Sequence, residues 1–411
     1  MHAGTQPARR LAALRNAPWL TADRARAWCI VWSTLAIAGV CVMLALSQDG
    51  ADLFGKPIGT DFVSFWTASK LALTDPAAAY DPARHAAAQR ALFPALDPTY
   101  FAFFYPPPFL LACLPLALLP YGAAMAAWLA AGYALFVTAL RRILPQRWAL
   151  LPILAFPAVL VNATHGQNGL LTAGLFGWGM ALLTRRPFLA GACLGLLVIK
   201  PHLLAALPVA LLFARRWHVI AGAIASATGL LALSWLVLGT DAWRGFLAAS
   251  PMARATLEEG LVETWKMQSV FAAARLLGSS ITTAFSLQAA AAAIVCALLA
   301  RLALQRPGTG EGAMAAAATL LCTPFLLDYD LTLLALPLAW LAAEAQRTGW
   351  RAWEKIVLLA AYVLPLAARP IGMIAHVPVA PLVIGAVLLV LWARARPVPA
   401  TPALNKCERT A

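Results

Sequence analysis

Long apolar runs separated by short arginine clusters make up most of this chain. The first run covers residues 28–46. Others follow at about 106–140, 149–163, 168–184, 187–213, 217–238, 283–304, 313–326, 331–343, 356–368 and 377–393. A bilayer-crossing helix needs roughly 20 apolar residues, and lipid leaves few alternatives to helices as spanning structures. The pattern therefore predicts an all-α polytopic membrane protein with about ten to twelve transmembrane helices. Arg141/Arg142/Arg147, Arg185/Arg186, Arg215/Arg216, Arg301/Arg306, Arg347/Arg351/Lys355 and Arg394/Arg396 punctuate the runs. Cytoplasmic loops carry such clusters. Placing them there puts Gln167, Lys200, residues 241–268, residues 328–330 and residues 369–376 on the outer side.

Two stretches resist a simple count. Residues 106–140 could hold two spans, yet the flanking charges call for an odd number of crossings. Pro106, Pro107, Pro108, Pro115 and Pro120 fit a re-entrant first part. Residues 187–213 have basic clusters on both sides and call for two crossings, with Lys200-Pro201-His202 as the outer turn of a short hairpin. The alternative reverses residues 141–186 and makes 187–213 one span; the hairpin obeys the charge rule throughout.

Only two loops are long, at 47–105 and 239–280. The first carries Phe62, Phe65, Trp66, Leu71 and Leu73, then a second helix-like piece near 76–92, and such half-apolar helices suit the membrane interface. Residues 1–27 read as a cytoplasmic segment and 28–396 as one transmembrane domain. Residues 397–411 read as a cytoplasmic, disordered tail. Ala45-Leu46-Ser47 imitates a signal-peptidase site, but the polar lead is long and the run nearly spans a bilayer, so the first span reads as uncleaved.

Composition narrows the classes. The chain is 62% hydrophobic and 12% charged, against about 25% charged in soluble domains. Its net charge of +14 lies in clusters between spans rather than on a continuous basic face, which argues against nucleic acid. The seven cysteines show no CxxC spacing and mostly lie inside apolar runs, as small packers do. No GxxxxGK[ST], GxGxxG or HExxH motif occurs, so neither cofactor nor metal is expected.

A few polar islands could carry chemistry. Asp61, in Gly59-Thr60-Asp61-Phe62, precedes apolar rings at the membrane surface. Desolvation there would raise its proton affinity and suit a general base, while Thr60 or Asp61 would equally suit a helix cap. Tyr105-Pro106-Pro107-Pro108 fits a backbone fixed where a loop enters the membrane, or an interfacial aromatic belt. His165-Gly166-Gln167-Asn168-Gly169 fits amides that bind sugar hydroxyls, or an ordinary tight turn. Lys200-Pro201-His202 places a charge in an apolar stretch, which is functional by default unless the lysine snorkels. Asp328-Tyr329-Asp330 fits a ligand-binding acid pair or a solvated turn. Trp265-Lys266-Met267-Gln268-Ser269 has little specificity alone. By pattern alone these islands do not separate an enzyme from a transporter.

Taken together, Gly-Thr-Asp-Phe at 59–62, Tyr-Pro-Pro at 105–107, Gly-Gln-Asn at 166–168 and Lys-Pro at 200–201 resemble the polyprenol-phosphate-mannose-dependent mannosyltransferases of glycosyltransferase family 87. The resemblance runs from about residue 55 to 335. It implies a GT-C bundle with interfacial helices in the first outer loop. It also implies transfer of a hexose, as a rule mannose, from a polyprenyl-phosphate donor to a hydroxyl of a glycolipid or glycan on the outer face of the cell inner membrane. Asp61 then corresponds to the acidic catalytic residue. Lys200 and His202 are the candidates for the donor phosphate. Tyr105, Gln167, Asn168, Gln268, Asp328 and Asp330 are those for substrate. Direct displacement would invert the anomeric centre. Gln268-Ser269 follows the family's Asn-Gln-Ser with Met267 in place of Asn. Asp328 keeps the Asp of Trp-Asp-His-His, with Tyr329 and Asp330 where histidines are common. The competing class is a secondary transporter or lipid-carrier flippase. Such proteins show repeat symmetry and midplane charges, whereas the acids here fall mainly in the outer loops.

Overall fold

A computed structural model describes residues 6–53, 55–94, 100–260, 262–305 and 310–395. The expected tail, 397–411, lies outside the described residues. Those that are described form eighteen α-helices joined by 3-10 turns, with no strand among them. The protein is an all-α, multi-pass membrane protein. Five helices are long and apolar enough to span a bilayer: Ala22–Ala45, Tyr121–Ile143, Trp217–Thr256, Ile281–Gln305 and Glu354–Ala375. Arg147–Leu154 and Pro157–His165 form a sixth unit bent by 42°. Pro107–Leu118, Gly169–Leu182, Pro187–Ile199, Pro201–Phe213, Glu311–Cys322 and Val379–Ala395 are apolar as well but shorter.

The first long helix starts at Ala22, earlier than its apolar run, because Thr21 Oγ1 caps it by accepting from Arg24 N–H. The second long loop is largely helical. At Gly239 (φ 76°) the chain bends, and helix resumes to Glu258. A short turn, Thr264–Lys266, and the helix Val270–Leu276 follow. In the first loop, Phe62–Ala72, the 3-10 turn Pro76–Tyr80 and Pro82–Leu92 occupy the region expected to hold interfacial helices.

Glycines set how the spans run. Lipid provides little hydrophobic drive between helices, so close approach at small residues and dispersion hold them. A methyl added at Gly191 would stand 1.9 Å from Val219 O, and one at Gly195 would stand 2.2 Å from Ala223 O. Contacts that advance together along both chains make Pro187–Gly195 parallel to the Trp217 helix. Gly132 against Leu170, Gly174 against Leu135 and Gly177 against Ala139 make Tyr121–Ile143 parallel to Gly169–Leu182 in the same way. The intervening segments must therefore double back. Residues 147–165 do so between the second pair, and Pro201–Phe213 between the first, with the reversal at Lys200. Arg141/Arg142, Arg185/Arg186 and Arg215/Arg216 thus share one end of the bundle. Asn168, Lys200 and Gly239 share the other.

The basic end is cross-linked by buried charge. Arg216 Nη2 is 2.9 Å from Glu311, and the Arg394 guanidinium grips Glu354 with two bonds of 2.5 Å. The N-terminal segment meets the start of the Glu354–Ala375 helix. Trp353 N–H donates to Arg15 O (2.6 Å), and Lys355 Nζ donates to Leu20 O (3.2 Å).

Candidate functional site

The polar islands converge at the end of the bundle away from the arginine clusters. Gly59, at φ +74°, turns the chain into the Phe62–Ala72 helix, and Tyr121 Oη donates to Ile58 O (2.7 Å). Asp61 N–H donates to His165 O (2.9 Å), which ties this turn to the Gly166–Gly169 turn. Asp61 stands at the helix N-cap position, but its carboxylate makes no cap bond. Instead it accepts from Gln167 Nε2 at 3.0 Å. Of the two roles open to this residue in the sequence, capping by the side chain is not what it does.

Gln167 is the hub. Its Oε1 accepts from Tyr105 Oη (3.1 Å) and from Asn168 N–H (3.0 Å). Tyr105 is wedged against Phe109 and Phe65, with ring centroids 4.4 and 5.2 Å away. Asn162 is buried and, with its amide turned to suit its neighbours, donates to Gln167 O and accepts from Gly169 N–H, both at 2.9 Å. This asparagine braces the turn, and its place inside an apolar run gave no sign of that.

Gly166 is a steric requirement of the turn. Its φ is +65°, and an added methyl would fall 2.4 Å from Phe62 Cβ. Gly166→Ala is expected to destabilise the protein by about 1–3 kcal/mol through overpacking and backbone strain. Thermal unfolding in detergent against Gly278→Ala, where φ is +87° but nothing lies within 4 Å, isolates the packing part. Equal losses in the two variants would refute a role for the Phe62 contact.

Lys200 is 3% exposed. Its ammonium donates to Asn168 Oδ1 (3.0 Å) and Asp330 Oδ1 (2.5 Å) and lies 4.8 Å from the Tyr329 ring centre. Snorkelling to water is thus not its conformation. Burial alone would raise the proton affinity of Asp330. Lys200 and His202 outweigh that and hold it below the ordinary carboxylate range. His202 Nε2 is 3.9 Å from Asp330 Oδ2, beyond hydrogen-bond reach.

Asp328 is paired with Arg369, whose Nη1 lies 3.3 Å from Oδ2 and 3.5 Å from His165 Nε2. The Arg369 guanidinium also lies over Trp265, 5.2 Å from its ring centre. Arg369 is an addition that the motifs did not single out, and His165 belongs to the polar island at 165–169 without having been one of its candidate ligands. A lone arginine between Pro365 and Pro370 near a span end was the available signal. Gln268 behaves differently: its N–H donates to Leu326 O (2.7 Å), but its side-chain amide is spent on Trp265 O and Lys266 O of its own turn. It borders the network without joining it.

The site thus holds three carboxylates, of which two have cationic partners. Asp330 has Lys200, and Asp328 has Arg369. Among the described residues Asp61 has no ion pair. Burial raises its proton affinity above the ordinary carboxylate range, and Asp328 adds to this. His165, the Gln167 amide and Lys200 oppose it. A half-buried carboxylate that keeps a proton more readily than usual, fixed by one neutral amide, is suited to accepting a proton from a bound hydroxyl.

A profile of glycosyltransferase family 87 matches residues 103–326, more than half of the chain. No curated protein and no solved structure matches. The matched stretch contains Tyr105, Gln167, Asn168, Lys200, His202 and Gln268. Asp61 lies before it, and Asp328, Asp330 and Arg369 lie after it.

Proposed function

The chain belongs to glycosyltransferase family 87 and is a membrane glycosyltransferase, and from that premise we propose that it transfers a hexose, mannose in the first instance, from a polyprenyl-phosphate carrier to a hydroxyl of a glycolipid or glycan. The active end of the bundle faces the outer side of the inner membrane, opposite the arginine clusters. The observation that carries the reading is the unpaired, amide-held Asp61 at that end. Asp61 takes the acceptor's hydroxyl proton as that oxygen attacks the anomeric carbon. The bond from anomeric carbon to phosphate oxygen breaks, its electron pair stays on the phosphate, and the anomeric centre inverts.

Gln167, Asn168, Tyr105, Asp328 and Asp330 surround the sugar, and Gln268 backs the segment that carries Asp328. Gln167 fixes both Asp61 and Tyr105, so the base and the aromatic wall keep one geometry. Lys200 acts on the donor phosphate chiefly through its field, because it is already committed to Asn168 and Asp330, while His202, whose Nε2 has no hydrogen-bond partner among the described residues, is left to donate to a phosphate oxygen. A preorganised positive field costs no reorganisation as charge grows on the leaving group.

Membranes carrying the protein are expected to transfer mannose from polyprenyl-phosphate mannose to endogenous lipid acceptors and not from a nucleotide-linked mannose. Transfer from the nucleotide sugar alone would remove the lipid carrier from the reading. The pH dependence has a fixed sign. Asp61 works deprotonated and its proton affinity is raised, so activity rises with pH. The midpoint of that limb should lie above the ordinary carboxylate value of about 4. A rate that stays constant down to about pH 4 would exclude a base of this kind.

A further inference from the structure

The cation that the network leaves available to a ligand is not Lys200. Lys200 is 3% exposed, and turning it outward would strip a buried Asp330 of its partner. Arg369 is the more exposed of the two, although its partner Asp328 is buried as well. Its side chain is 34% exposed. Only Nη1 has hydrogen-bond partners among the described residues, at the long distances of 3.3 and 3.5 Å. A guanidinium carries five N–H donors in a planar fork that matches phosphate oxygens two at a time. Trp265 supports it, with its ring centre 5.2 Å from the guanidinium carbon. A small cleft lined by Trp265, Gln268, Ser269, Ala368, Gly372 and Val377 lies beside it.

We propose that Arg369 is the phosphate-binding residue for the donor, held by Asp328 and turning its remaining N–H groups to the phosphate when the lipid binds. The isoprenoid tail then extends into the surrounding lipid. The inference rests on the lipid-phosphate donor proposed above. Its chemistry follows from charge balance. A glycosyl phosphodiester carries one negative charge, and the departing polyprenyl phosphate carries nearly two near neutral pH. Arg369, one residue removed from Asp61 through His165, meets the added charge. Asp328 is then a competitor that keeps the guanidinium oriented while no phosphate is present.

The test is binding of farnesyl phosphate, farnesol and inorganic phosphate to the purified full-length protein in detergent, read by thermophoresis or calorimetry. The wild type is expected to favour farnesyl phosphate over farnesol, and Arg369→Ala to reduce that preference about tenfold or more, the size of a charged hydrogen bond. Arg369→Lys should fall between, since a point charge replaces the fork. Asp328→Asn removes the competitor and should tighten farnesyl phosphate, a gain that a purely structural ion pair would not produce. This arm decides the question even if Arg369→Ala fails to fold. Discrimination unchanged in Arg369→Ala, or weakened binding in Asp328→Asn, would overturn the assignment and leave the lipid-phosphate donor standing. A wild type that does not distinguish farnesyl phosphate from farnesol would overturn the donor reading as well. Inorganic phosphate binding as tightly as farnesyl phosphate would overturn the lipid part.

Discussion

Asp61→Asn is expected to lower sugar transfer by about 10²–10⁴-fold, the contribution typical of a general base. The substitution suits the question because it changes little else. Asn keeps the volume of Asp, and its Oδ1 can still accept from Gln167 Nε2. The carboxylate forms no cap bond that the amide would lose, and among the described residues it has no ion pair whose cation would be left bare. Stability should therefore stay within about 0.5 kcal/mol of wild type, as for substitutions that break no cap, core or network. Transfer from polyprenyl-phosphate mannose at matched protein levels, with a thermal melt alongside, separates the two quantities. Lost activity with unchanged melting supports the base. Activity retained within a few-fold would take Asp61 out of the chemistry, and joint loss of activity and fold would make its role architectural.

Lys200→Met should be the most damaging single change to stability in the site. The ammonium and the Asp330 carboxylate are both almost fully buried and lie 2.5 Å apart. Removing one member of such a pair leaves an uncompensated charge and costs about 3–5 kcal/mol. Asn168 also loses the donor to its Oδ1, so the amide beside Gln167 is freed. Replacing both members, as Lys200→Met with Asp330→Leu, should restore most of the stability, because an apolar pair of similar volume often does as well as a buried ion pair. Activity should not return with it, since the field and the orientation of Asn168 are gone. Thermal unfolding of the three proteins in one detergent decides the matter. A single variant as stable as wild type would mean that the pair contributes nothing net to the fold.

Much of this was legible in the sequence, for identifiable reasons. Spans announce themselves because lipid demands apolar length, and arginine clusters mark one end of the bundle because they resist translocation. Asp61, Tyr105, Gln167, Asn168, Lys200, His202, Asp328 and Asp330 stood out as polar residues where polarity is costly, and the fold brings all of them to one end. Three features were not visible. Asn162 looks like any residue of an apolar helix, and its bracing role exists only once the chain has turned at Gly166. Arg369 read as a loop-end charge, since its pairing with Asp328 spans 41 residues that no local pattern connects. The helix beyond Gly239 was hidden because a glycine before polar residues signals a loop, whereas here it bends the chain between two helical pieces.

The contact between the N-terminal segment and the start of the Glu354–Ala375 helix has a consequence for how the protein is made. Lys355 Nζ donates to Leu20 O across 335 residues of sequence. At roughly 5–20 residues per second, the N-terminal segment leaves the ribosome about 17–70 s before its partner exists. Over that interval its neighbour, the Ala22–Ala45 helix, needs no protein partner, because only 6% of its apolar window is buried against the rest of the chain. Lipid alone can hold it. The site is under a stricter clock: Asp61 is synthesised early, but Arg369 reaches Asp328 only after the Glu354–Ala375 helix has inserted. Nascent chains stalled before that helix should carry an anchored but incomplete enzyme, so sugar transfer begins only near the end of translation.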